Sequence, residues 1–219
     1  MKELRELNNL EFDQYVKEIS KGFCPYIAPS TKKDAIYFYN YELESNSIES
    51  INKDIFYISL MHTELFRNDR LSTNKSRALL LCRNIIFNIK DQYLDKKGRE
   101  LLDIPHWLLK THYTSKGIMF GKFWKGEEGK SRIGKEIPIP PKYFISIRST
   151  IKSKDPFFFN KAPDLIDDLI NSVDDGQQVF EELEEINLPN EDLDVLRDTK
   201  LYEKLYEKEK STRMKRGIE

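Results

Sequence analysis

Two runs of strand character bracket a glycine- and lysine-rich excursion, and they restrict the fold more than any other stretch. Residues 118–124 read I-M-F-G-K-F-W and residues 143–149 read Y-F-I-S-I-R-S. Both mix β-branched and aromatic residues, which suit a half-buried pleated surface. The excursion ends in Pro138, Pro140 and Pro141. Proline has no N–H for a ladder, so this part is extended chain outside any central strand. In 143–149, alternation puts Tyr143, Ile145 and Ile147 on one face and Phe144, Ser146 and Arg148 on the other.

The remaining periodicities place helices around these strands. Residues 1–21 carry leucine and aromatic residues at helical spacing, and Gly22 stops the helix. Residues 24–30 read as extended around Pro25 and Pro29. Residues 35–43 and 78–89 are strand candidates, 55–66 fits strand or helix, and 67–76 reads as a loop. Residues 91–116 form a helix that Pro105 breaks or restarts. Helices are expected over 162–171, 177–186 and 191–210, the last charged all round and thinly apolar. The class is α+β: a mostly antiparallel sheet of four or five strands covered by helices, with a helical C-terminal extension. The expected division is one domain over 1–172 and a charged extension over 173–219.

Hydrophobic residues make up 39% of the 219 positions, enough for a core, and charged residues 33%. No apolar run reaches membrane-spanning length, and the N-terminus lacks a secretory pattern, so a cytoplasmic protein is expected. The formal net charge of −1 argues against nucleic-acid coating. It conceals two blocks. Residues 110–154 carry eleven Lys or Arg against three Glu, and residues 164–198 carry thirteen acidic residues against Arg197. These blocks either neutralise one another or face separate partners.

The excursion holds Gly117, Gly121, Gly126, Gly129 and Gly134, five of nine glycines. Such a segment is either a solvated hairpin loop or an anion cradle, in which Lys122, Lys125, Lys130, Arg132 and Lys135 grip a small anionic ligand beside Trp124. Arg148 needs a carboxylate, either Asp155 or a substrate group. His112 is the candidate for proton transfer, because T-H-Y-T leads into the Gly117 strand. The spacing of His62, His106 and His112 matches no metal motif, and Cys24 and Cys82 make neither a zinc site nor a disulfide framework. The aromatic runs either pack the core or wall a pocket for a planar group.

Several of these residues recur in one order. Cys24-Pro25 precedes the first strand, Gly117 to Phe123 forms a late strand, Pro138 and Pro140 lead to Ile147-Arg148, and Asp155-Pro156-Phe157-Phe158 follows. The pattern resembles uncharacterised bacterial domains found near biosynthetic genes and, more distantly, the YqcI/YcgG family, over about residues 22–170. Some YqcI/YcgG members are heme-dependent N-oxygenases, so the resemblance implies heme. In that family a His-Pro pair follows the glycine-containing strand. Here Phe123-Trp124-Lys125 stands there, and His112 or His62 would have to substitute. Two functions follow as expectations. One is a cytosolic small-molecule enzyme of a biosynthetic or tailoring pathway that binds an anionic substrate. The alternative is a non-enzymatic interaction protein, a regulator, effector or immunity component, that meets a partner or itself through its C-terminal helices.

Overall fold

The computed structural model describes residues 3–4, 10–90, 98–131, 134–160, 162–186 and 193–215. It has an α+β fold around one mixed sheet. The strands are β1 (Glu3–Leu4), β2 (Ile36–Leu43), β3 (Cys82–Ile89), β4 (Ile118–Phe123) and β5 (Tyr143–Ser149), in the order β1-β2-β3-β5-β4. β1 adds two residues at one edge, so four strands carry the sheet. β4 pairs antiparallel with β5, and β5 with β3, whereas β2 and β3 run parallel.

That parallel pair needs a crossover, and α3 (Ile48–Ser72) supplies it. Ser47 caps the helix by accepting the Ser50 N–H at 3.1 Å. Ile51, Ile55 and Ile58 are fully buried at spacings of four and three, which settles residues 55–66 as helix. The loop expected over 67–76 is instead the last turns of α3 followed by α4 (Lys75–Ala78). Residues 24–30, expected to be extended, turn into α2 (Ile27–Lys32), with Pro29 inside its first turn.

Helix α5 (Gly98–Tyr113) runs through Pro105 unbroken. Proline cannot bond the carbonyl four residues back, that of Leu101. Asn52 of α3 takes its place: Nδ2 donates to the Leu101 oxygen at 2.9 Å and to that of Glu100 at 3.3 Å. Residues 91–97 of the expected helix lie outside the described residues. Of the helix expected over 177–186, a single 3-10 turn forms at Glu181–Leu183. The long C-terminal helix is two: α7 (Leu193–Asp198) and α8 (Leu201–Lys215), hinged at Lys200 with φ 53°. A short α6 (Leu165–Ile170) lies between.

The sheet has two unlike faces. Tyr41, Ile85, Phe87, Ile145 and Ile147 point into the main core with α3 and α5, and Leu193, Leu196, Leu201, Tyr202 and Leu205 of α7 and α8 bury into the same core. On the other face, Phe12, Tyr15 and Ile19 of α1 (Leu10–Ser20) pack on Ile86 and Phe144. No described helix is long and apolar enough to cross a membrane.

Candidate functional site

Under α1 the packing is incomplete. A cavity of about 440 Å³ lies between α1, α2, the excursion after β4 and the face of β3, β5 and β4 opposite α3. Its walls are mostly apolar, including Phe12, Val16, Ile27, Ile137 and Phe158. Strand parity decides its floor. Asn84 stands beside Ser146, Ser146 beside Gly121, and Cys82 beside Arg148, all facing the cavity.

The floor is polar and lightly partnered. The Cys82 Sγ lies 3.4 Å from the Ser146 Oγ, and the Asn84 Nδ2 donates to the Tyr37 carbonyl at 3.3 Å. Burial pushes the Cys82 thiol up, which keeps it protonated. At Gly121 an added Cβ would come within 2.7 Å of the Phe123 ring, so glycine is what lets that ring lie along the floor, stacked on Phe144.

Arg148 grips Asp155 through two bonds of 2.8 Å, and its Nη1 also donates to the Ser149 carbonyl. Asp155 is 1% exposed and also accepts the Ile151 N–H. Burial opposes the guanidinium charge, and the Asp155 carboxylate more than offsets it, so the Arg148 pKa is raised. These bonds use three of five guanidinium N–H groups, and the side chain remains 26% exposed. Two exposed cations lie against rings of the wall: the Lys135 Nζ sits 4.7 Å from the Phe23 ring, and the Lys154 Nζ 5.8 Å from the Tyr26 ring. Glu127 also lines the cavity, and its pKa is raised, first by burial.

Arg148 and Asp155 therefore come together at the cavity, Lys135 lies against its wall, and the other expected site residues do not join them. Lys122 shares the parity of Ile118 and Phe120, so it points to the α5 side and pairs with Asp103. Trp124 packs against Gly98, where a Cβ would approach its ring to 2.6 Å. Lys125 is exposed in the turn after β4. Arg132 lies outside the described residues. Gly126 and Gly134 take positive φ with open space around them, the geometry of solvated turns. The expected cradle of Lys122 beside Trp124 therefore does not share a cleft with Arg148: Lys122 and Arg148 lie on opposite sheet faces, a relation set by the β4–β5 register and not by the sequence of either strand.

His112 is also elsewhere. Its Nδ1 donates to the Leu108 carbonyl at 2.9 Å, and its ring packs on Phe180. Burial lowers its pKa. His62 is 2% exposed on the α3 side of the sheet. The Arg83 Nη1 donates to its Nδ1 at 3.2 Å, so its Nε2 carries the proton toward the Tyr41 hydroxyl at 2.7 Å. Burial, with Arg83 second, holds the His62 pKa down to about 3. Neither histidine reaches the cavity, so histidine ligation of heme there does not fit. Among the described residues no group of three His, Cys, Asp or Glu could hold a metal ion.

Sequence reasoning passed over the polar floor of Cys82, Asn84 and Ser146, the roof of α1, and the placing of Lys154 beside it, whereas Lys135 was among the expected anion-binding cations. The available signal was the second face of β5, where serine and arginine follow Phe144.

An α+β domain with one apolar cavity wall and a converging polar floor is the class these features define. Residues 21–209 match the family described as domain of unknown function DUF6875, and the chain belongs to that family. We found no match to the chain among curated proteins or solved structures.

Proposed function

We propose that this protein is a cytosolic small-molecule enzyme whose substrate lies in the cavity beneath α1. Its substrate is a mostly apolar molecule with one anionic head group. The observation that carries this reading is the cavity itself: about 440 Å³ with a mostly apolar wall over a floor that holds Asn84, Ser146 and Arg148. Lys135 and Lys154 beside the rings of Phe23 and Tyr26 favour an anion over a cation. The more specific reading, a heme-dependent oxygenase of a tailoring pathway, draws on the YqcI/YcgG resemblance alone. The cavity wall contains no histidine for it, and the reading proposed here does not use heme.

The test is a thermal-shift series with dodecanoate and naphthoate. At about a hundredfold over Kd, the midpoint of a chain this size rises by about 5 °C. Arg148→Gln combined with Asp155→Asn keeps the pair hydrogen-bonded but neutral, and Ser146→Leu fills the floor. Both variants lose the rise. A folded wild type whose midpoint no apolar acid moves sinks the proposal.

A further inference from the structure

The cavity has a second polar end, which the head-group reading leaves unused. Phe144 and Arg148 are four residues apart on β5, so their side chains mark points ~13 Å apart along one face of the sheet. At the Phe144 end stands Tyr15, with ring centroids 6.0 Å apart. Tyr15 is 7% exposed and lines the cavity, and its hydroxyl has no hydrogen-bond partner among the described residues. Glu127 reaches the same end from the turn after β4, where its N–H bonds the Trp124 carbonyl at 3.0 Å. The register places that turn there, because Phe123, the last residue of β4, pairs with Phe144; the raised Tyr15 pKa, caused first by burial and next by the Glu127 charge, agrees with it. The Tyr15 hydroxyl is open to a molecule in the cavity. The Glu127 carboxyl lines the same end of a mostly apolar wall, so the phenol and the carboxyl offer two oxygen acceptors there.

We propose that Tyr15 and Glu127 form a second recognition pole, which selects substrates carrying a protonated amine at the end remote from the anionic head. The class is an ω-amino acid or an equivalent elongated molecule: acid toward Arg148, apolar body along β5, ammonium toward Glu127. This inference rests on the reading of the cavity as a substrate site and narrows it. The polar ends fix which way round the molecule lies, and the apolar wall between them sets its length.

Isothermal titration of the full chain with dodecanoate, ω-hydroxydodecanoate and ω-aminododecanoate tests it. The amino acid is expected to bind about tenfold tighter than the plain acid, the scale of one charge-assisted hydrogen bond, with the hydroxy acid between. Glu127→Gln reduces that advantage to within about twofold and leaves dodecanoate affinity unchanged. Tyr15→Phe trims the advantage of the hydroxy acid. Equal affinity of plain and amino acids on the wild type, or an advantage that survives Glu127→Gln, overturns the second pole while the head-group reading stands. If none of the three acids binds, the cavity reading falls and this inference falls with it.

Discussion

His62 shows how much a single buried side chain can impose on the whole. Among its neighbours are Arg83, Tyr39 and Tyr41, and none of these is an acid that would support an imidazolium. Asp69 lies beyond, paired with Arg83. Its folded pKa is about 3 against an ordinary 6.5, so between those values the unfolded chain binds the proton and the folded one does not. Stability from this group is complete above about pH 6.5 and is lost progressively as pH falls toward 3. Between about pH 7 and 4.5 the loss is about 2–3 kcal/mol. Urea midpoints at the two pH values, in the wild type and in His62→Gln, isolate it, because glutamine still accepts from Arg83 but does not titrate. The variant is expected to show a shallower acid slope by that amount, and equal slopes would contradict it. At this scale the sequence was readable where partners are close along the chain. Arg148 and Asp155 are seven residues apart and do meet. Lys122 and Trp124 were misjudged because the facing of one strand relative to another depends on register. The long excursion between β4 and β5 does not dictate register as a two-residue turn does.

Elements were legible by period and obscured where tertiary contacts override local rules. β5 was read from alternation with the bounds it has. Residues 55–59 of α3, I-F-Y-I-S, have strand composition, yet a capped N-terminus at Ser47 and burial at spacings of three and four make the stretch helix. From that one assignment follows the parallel β2–β3 pair. Pro105 is the converse case: a local helix breaker made harmless by a side chain on another helix. Because Asn52 bonds the carbonyl that proline cannot, removing it strands a buried acceptor. Asn52→Ala is expected to cost about 2 kcal/mol in urea unfolding. With Pro105→Ala in place, residue 105 regains the N–H that bonds Leu101, and the same Asn52→Ala change costs about 1 kcal/mol less. Strict additivity in this double-mutant cycle would show that Asn52 holds the two helices together without serving the proline.

Across the whole molecule, the start of the acidic block lies in a seam that it shares with α3 and with Lys116 and Lys152 of the basic block. Lys116 pairs with Asp175, the Lys152 Nζ bonds the Ser172 carbonyl, and Arg70 reaches the carbonyls of Lys116 and Gly117 as well as Asp174. At the centre of the seam, Arg67 is 2% exposed between Glu64 and Asp174, each at 2.8 Å, and also donates to the Gln177 carbonyl at 2.7 Å. Burial drives the Glu64 pKa up. At Asp174 burial pushes the same way, but Arg67 and Arg70 outweigh it and bring the pKa down. Composition showed the opposed blocks but not that Arg67, which belongs to neither, holds the start of the acidic one from 107 residues away. Breaking such a buried set from one side leaves an uncompensated charge. Asp174→Asn is therefore expected to cost about 3–5 kcal/mol, a large part of the 5–15 kcal/mol that holds a typical domain. Asp175→Asn, one residue on and exposed, leaves the urea midpoint in place. The same reasoning extends to the helices beyond. A chain ending at residue 172 lacks Asp174 and also the leucines of α7 and α8 that complete the main core. It is expected to show no cooperative unfolding by near-ultraviolet circular dichroism. A sharp, reversible transition in that fragment would mean that residues 173–219 are an appendage after all and that Arg67 finds another partner without them.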